Sequence, residues 1–149
     1  MKEKYLNEAF KEYAKRLAPY CKLELVELFE YKLPKDPSKA EIDQALKKEA
    51  ADIAKYIPQN AFVIALCIEG VRVSSQDFAD FFQKCANEGK SKICFIIGSS
   101  FGLDESVKCQ AQLLLSMSDM TFTRSLARII LTEQIYRALT INFGGKYDK

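Results

Sequence analysis

The sequence predicts an α/β protein with a mostly parallel sheet and flanking helices. Two apolar runs, at residues 61–68 and at residues 92–97, have the length and composition of strands covered on both faces. Segments with the apolar spacing of helices alternate with these runs along the chain. Because 149 residues is the length of one domain, we expect a single domain over residues 1–149.

The first part of the chain predicts two helices and a weaker strand. A helix is expected over residues 2–18, where apolar side chains recur every three or four positions. Between residues 23 and 28, apolar and charged side chains alternate, which predicts a strand at an edge or half-covered position. A second helix is expected over residues 38–57, because Ser38 and Glu41 have capping-box spacing.

The second part continues the alternation of strands and helices. The first covered strand is expected to end at Glu69 and Gly70. A helix follows, with Ser74 or Ser75 as its N-cap and Gly89 as its stop. The remaining predicted elements are the second covered strand, a short helix from about Asp104, a brief strand at residues 113–115 and a long helix at residues 125–142.

Composition excludes several classes of site. The chain contains no histidine, which excludes Ser-His-Asp and Cys-His nucleophiles and histidine-ligated zinc. The five cysteines form no CxxC pair, so we expect no metal site and interpret most of them as buried core residues. No apolar stretch is long enough for a membrane span or resembles a signal peptide, and we expect a cytoplasmic protein without membrane contact.

The loops after the covered strands are candidate ligand sites. Ligands of open parallel sheets bind beyond the carboxyl ends of the strands, and glycines follow both predicted strands, at residues 69–70 and at residues 98–102. The second loop is neither a P-loop nor a GxGxxG motif. It is therefore either a ligand loop or a tight turn.

Positive charge is concentrated in the last thirty residues. Residues 120–149 carry five basic side chains against two acidic ones, although the whole chain has a net charge of only +2. Aromatic residues are interleaved with them, which is typical of RNA-binding surfaces but also of a solvated helix face with core aromatics. Glu133 lies four residues before Arg137 on the long predicted helix, and we interpret it as a structural ion-pair partner.

One segment of the chain resembles a known family. Residues 113–138 read LLLSMSDMTFTRSLARIILTEQIYRA. They resemble the signature LSxSxMTFxHxxxRxxLxEQxYRA of the SPOUT-class ribosomal RNA large subunit methyltransferase H family. The segment KEKYLNEAFKEYAKRLAPY, the loop IGSSFGL and the ending KYDK resemble other parts of the family, so the resemblance covers nearly the whole chain.

The resemblance implies a fold, a reaction and a partner. It implies methylation, with S-adenosylmethionine as cofactor, of N3 of a pseudouridine in large-subunit ribosomal RNA on the ribosome. It also implies a homodimer, in which both protomers contribute to each site, and a C-terminal trefoil knot. The positions that match the family's cofactor-binding residues are Leu66, Gly98, Met117, Ser118, Asp119, Met120, Thr121 and Phe122.

The chain departs from the family at several positions. Ser99 replaces a second glycine of the middle loop, and Arg124 and Asp148 replace family histidines. The resemblance therefore leaves Arg124 or Arg128 to stabilise an anion and Asp148, next to Tyr147, to act as a base. The alternation opens on a helix, and the family's first strand is missing before Met1. We therefore expect the protein made in the cell to begin upstream of Met1.

Two other functions remain open at the level of sequence. The histidine replacements are compatible with a homologue that binds the cofactor or RNA without transferring a methyl group. Without the resemblance, the alternation of strands and helices is also typical of a flavodoxin-like nucleotide-binding module.

Overall fold

The computed structural model describes residues 3–28 and 30–144, which form five helices and three strands. None of these five helices combines the length and the apolar character that a membrane span requires. The helices are α1 (Lys4–Leu17), α2 (Lys39–Ala54), α3 (Ser75–Asn87), α4 (Glu105–Gln110) and α5 (Arg124–Asn142). The strands are β1 (Phe62–Arg72), β2 (Ile93–Ile96) and β3 (Leu113–Ser116).

The three strands form one parallel sheet in the order β2-β1-β3, which confirms the predicted α/β class. The central strand β1 pairs with β2 through Ala65 and Ile96 and with β3 through Leu66 and Leu115. Its residues 63–65 are buried, as the unbroken apolar run predicts for a strand covered on both faces. The trefoil knot stays a prediction.

Strand β1 is longer than the sequence predicts. It was expected to end at Glu69 and Gly70, but it continues to Arg72. Its register with β3 shifts between Leu66 and Val71, both of which pair with Leu115. The intervening residues form a bulge, which glycine accommodates because it lacks a side chain.

The edge strand predicted at residues 23–28 is wrong. Residues 21–28, all of which the structure describes, contain no strand. Leu23, Leu25 and Val26 are 38%, 46% and 49% exposed, so the alternating pattern buries neither face deeply. Alternation indicates which side chains share a face, but a strand also needs a neighbour to satisfy its backbone hydrogen bonds.

The starts predicted for α2 and α3 are confirmed, and each has a complete capping box. The Ser38 hydroxyl accepts from the Glu41 N–H at 3.1 Å, and the Glu41 carboxylate accepts from the Ser38 N–H at 2.9 Å. Ser74, rather than Ser75, caps α3 in the same way with Asp77. Each box satisfies backbone donors that a helix start leaves without an internal partner.

The chain groups into two compact units. The helical unit contains α1, α3 and α5, and the Asn142 side chain at the end of α5 donates to the Ala79 carbonyl oxygen of α3 at 2.8 Å. The sheet unit contains the three strands with α2 and α4. Its core is formed by Ala50, Val63, Ala65, Ile96, Leu103 and Val107. The single domain over residues 1–149 stays a prediction.

Candidate functional site

The carboxyl ends of the three parallel strands meet at one edge of the sheet, where ligands of such sheets bind. Strand β2 ends at Ile96, one residue before the loop 98–102, and β3 ends at Ser116, directly before Met117. Leu66 is half-buried in β1 between these two strands. The sheet therefore places Leu66 beside the starts of both predicted cofactor loops.

The loop 98–102 is a tight turn closed on itself. The Gly102 N–H donates to the Ser99 carbonyl oxygen at 2.9 Å, and Gly102 has a φ of +92°, which favours glycine. A β-carbon on Gly98 would lie 2.5 Å from the Gly102 carbonyl oxygen. The turn itself therefore requires glycine at position 98, whether or not a ligand contacts that residue.

The segment after β3 is organised by two serine hydroxyls. The Ser116 hydroxyl donates to the Ser118 carbonyl oxygen at 3.0 Å, and the Met120 N–H donates to the Ser118 hydroxyl at 3.0 Å. Met120 is 74% exposed. The next two predicted cofactor residues, exposed Thr121 and half-buried Phe122, belong to the helical unit.

An ion pair joins the end of β1 to this segment. A guanidinium nitrogen of Arg72 lies 3.0 Å from a carboxylate oxygen of Asp119, and the two side chains are 66% and 75% exposed. Asp119 is among the site residues predicted from the sequence, whereas Arg72 is not, because it lies beyond the predicted end of its strand. The sequence does show a positive charge two residues after Gly70. This charge points to the site only once β1 is known to extend to Arg72.

The first two turns of α5 carry two of the four catalytic candidates. Thr123 caps the helix, with its hydroxyl accepting from the Leu126 N–H at 3.4 Å, and Arg124 is the first helical residue. The guanidinium carbon of Arg128 lies 5.9 Å from the centre of the Phe10 ring. Tyr147 and Asp148, the other two candidates, lie outside the described residues.

The N-terminus of α5 combines a helix end with a basic side chain. The N-terminus of an α-helix carries a partial positive charge, and the first turn of α5 contains Arg124 and no acidic residue. The helix end itself therefore favours negative charge over positive charge.

The interpretation of Glu133 as a structural residue is confirmed. Its carboxylate accepts from the Arg137 guanidinium at 2.9 Å, and the two side chains are 15% and 19% exposed. On the same helix, the Tyr136 ring packs edge-on against Tyr20 with centres 6.0 Å apart. Glu133 and Tyr136 therefore belong to the packing of the helical unit.

The cysteines are free thiols and differ in burial. The prediction that most of them are buried in the core holds fully only for Cys85, because Cys21, Cys67 and Cys94 are partly buried and Cys109 is exposed. Burial raises the pKa of the Cys94 thiol, which disfavours the thiolate needed for nucleophilic attack. The thiols therefore do not extend the candidate site.

Comparison with known proteins gives consistent matches along the chain. A family model described as "Predicted SPOUT methyltransferase" matches residues 1–148. Proteins named "Ribosomal RNA large subunit methyltransferase H" are similar to the whole chain: the one from Bifidobacterium adolescentis is 48% identical, the one from Streptococcus suis 46% and the one from Clostridium botulinum (strain Okra / Type B1) 44%. Each match covers 149 residues, which is 100% of this chain and 94% of the relative. A match of this extent shows that the chain belongs to the SPOUT methyltransferase family.

Proposed function

We propose that this chain transfers a methyl group from S-adenosylmethionine to N3 of a pseudouridine in large-subunit ribosomal RNA. The observation that carries the proposal is the full-length similarity to relatives whose name specifies the large-subunit RNA. This similarity includes the segment at residues 113–138 that resembles the family signature. The substrate is therefore transferred from the relatives, whereas the arrangement of the site is argued from this chain.

The residues at the carboxyl edge of the sheet fit the proposed cofactor. Met117 to Met120 form a loop whose exposed end presents backbone groups and the Met120 side chain, and Phe101 in the neighbouring loop is 49% exposed. Backbone groups match the polar edges of an adenine, and exposed apolar side chains match its faces. In this proposal Leu66, Gly98 and residues 117–122 hold the cofactor.

Methyl transfer requires this chain to stabilise negative charge and to position the pseudouridine. S-adenosylmethionine supplies an activated methyl group when it is bound, so the protein needs no nucleophile of its own. The N3 position of the base must lose its proton, and the resulting anion is stabilised by nearby positive groups. We assign this role to Arg124 and Arg128 in the first two turns of α5, and the role of base to Asp148 beside Tyr147.

We also propose that the protein acts as a homodimer through α5. This helix carries apolar residues on more than one side, and Leu126 remains 39% exposed in the single chain. A helix that is apolar on more than one side is typical of one that is covered by more than one neighbour. Light scattering at micromolar concentration should give the mass of two chains, and the mass of one chain would contradict the dimer.

Calorimetry separates this proposal from a nucleotide-binding module. A folded sample should bind S-adenosylmethionine and its demethylated product, and should not bind flavin mononucleotide. Binding of the flavin alone would replace the proposal with the flavodoxin-like alternative. No binding of S-adenosylmethionine at millimolar concentration would also contradict it.

A further inference from the structure

The turn at residues 98–102 is held from outside by a carboxylate that is distant in sequence. One carboxylate oxygen of Glu30 accepts from the Ser100 N–H at 3.1 Å and from the Ser100 hydroxyl at 3.4 Å. Both residues lie in the sheet unit, 70 positions apart in the chain. Neither residue belongs to the set that the family resemblance assigns to the cofactor.

The geometry of the turn explains why this contact matters. The internal hydrogen bond of the turn joins the Gly102 N–H to the Ser99 carbonyl, so Ser100 occupies a corner whose own N–H points away from that bond. A carboxylate that accepts from a backbone N–H makes a charge-assisted hydrogen bond, which is stronger than a neutral one. Glu30 therefore fixes the corner that the turn's own bond leaves without support.

Glu30 is itself anchored through its neighbour. The Tyr31 N–H donates to the Glu49 carboxylate at 3.3 Å, and the Tyr31 hydroxyl donates to the Asp52 carboxylate at 2.8 Å. Both acceptors are residues of α2. A continuous path of hydrogen bonds and main chain thus connects α2 to Ser100 through residues 30 and 31.

A groove of about 290 Å³ lies beside the turn. Its lining includes Ser99 and Phe101 of the turn, Leu46 of α2, and Glu30 and Tyr31. Side chains that face an open groove do not fix one another by contact. The hydrogen bonds of Glu30 and Tyr31 therefore connect the turn to α2 along this groove.

We propose that Glu30 is a positioning residue that holds the turn at residues 98–102 in the conformation that accepts the cofactor. The proposal rests on the proposed function, because the turn is one of the two loops assigned to the cofactor. Glu30 does not contact the cofactor in this account. It acts through Ser100, so its loss weakens cofactor binding without removing any binding group.

The first test measures the turn without any ligand. Amide hydrogen exchange at Ser100 should be faster in Glu30→Ala than in the parent chain, because the acceptor is gone. Glu30→Gln keeps an uncharged acceptor oxygen and should restore part of the protection. Glu24→Ala is the matched control, since this exposed residue forms a 3.4 Å ion pair with Lys22 and lies outside the sheet unit. Unchanged exchange at Ser100 in Glu30→Ala would overturn the proposal.

The second test measures the coupling to the cofactor by calorimetry. Glu30→Ala should weaken S-adenosylmethionine binding by about tenfold, the equivalent of one charge-assisted hydrogen bond, with Glu30→Gln intermediate and Glu24→Ala unchanged. In methyl transfer, KM for the cofactor should rise more than kcat falls. Faster exchange with unchanged affinity would overturn the positioning role and leave the proposed function intact. If the parent chain does not bind S-adenosylmethionine, both the positioning role and the proposed function are overturned. The titration of the parent chain alone shows this outcome.

Discussion

Gly70 of β1 lies directly against the main chain of Leu114 in β3, and a β-carbon on Gly70 would be 2.6 Å from the Leu114 carbonyl carbon and oxygen. Real side chains do not approach backbone atoms this closely, so the two strands can pair around the bulge only with glycine at this position. The approach lets β1 regain its pairing with β3 after the register shift and reach Arg72. The end of the central strand, where the candidate site begins, thus depends on the absence of a side chain at Gly70.

Gly70→Ala should destabilise the protein by about 1–3 kcal/mol, because the new methyl group forces the two backbones apart. Gly89→Ala is the matched control. Its φ of +75° makes alanine strained, but no atom lies within 4 Å of the added β-carbon. Urea unfolding should therefore give a larger loss for Gly70→Ala than for Gly89→Ala. A loss no larger than that of Gly89→Ala would contradict a close approach that only glycine allows.

Gly98→Ala should weaken S-adenosylmethionine binding and lower the free energy of unfolding by about 1–3 kcal/mol. The added carbon meets the Gly102 carbonyl group, which is backbone and cannot rotate away, so the turn must open. Ser99→Ala is the control, because it keeps the carbonyl oxygen that closes the turn. Calorimetry and urea unfolding measure the two effects. A Gly98→Ala variant with the parent's affinity and stability would contradict the close approach.

A pH-dependent contribution to stability should come from Glu69 and Lys108. The Lys108 ammonium donates to the Glu69 carboxylate at 2.7 Å, and this hydrogen bond lowers the pKa of Glu69 and raises that of Lys108. A carboxyl with a lowered pKa in the folded state stabilises the fold above its ordinary pKa. That stability is lost as the pH falls through the lowered value. The raised pKa of Lys108 preserves the pair until strongly alkaline pH.

Lys108→Met tests this contribution. Because Glu69 is 59% exposed, solvent screening limits the loss near neutral pH to about 0.5–1 kcal/mol. The difference from the parent chain should vanish in acid, once Glu69 is protonated in both states. Lys11→Met, at an exposed position on α1, should show no such pH dependence. A difference that persists unchanged in acid would mean that packing of the Lys108 stem, and not the ion pair, is responsible.

The Arg72–Asp119 pair should contribute little to stability despite its 3.0 Å distance. Both side chains are more than half exposed, and exposed ion pairs are typically worth about 0–1 kcal/mol. A double-mutant cycle with Arg72→Ala and Asp119→Ala measures the coupling. We expect a value below about 1 kcal/mol that decreases further at high salt. A larger coupling that resists salt would mean that the pair is shielded from solvent.

Local signals in the sequence were sufficient for much of the fold. The run at residues 61–68 predicted a covered strand, because a parallel strand buries both of its faces. Ser38 predicted the start of α2, because capping depends on residues only three positions apart. The class of sheet and the positions of all five helices follow from signals of this kind.

The features that the sequence did not predict depend on distant partners. The segment at residues 23–28 has the alternation of a strand but lacks a neighbouring strand, and alternation carries no information about neighbours. Gly70 looked like the end of β1, because its partner Leu114 is not recognisable before the sheet is known. The Arg72–Asp119 and Glu30–Ser100 contacts join positions 47 and 70 residues apart, which only the folded chain brings together.

Methyl transfer to assembled ribosomes tests the central claim most directly. Ribosomes whose large-subunit RNA lacks the modification are incubated with the folded protein and S-adenosylmethionine carrying a labelled methyl group, and the RNA is then digested and analysed by mass. The account predicts one labelled methyl group on N3 of a pseudouridine, and a strong loss of labelling in Arg124→Ala. No labelling by a sample that binds the cofactor would contradict the proposed transfer and favour a protein that only binds.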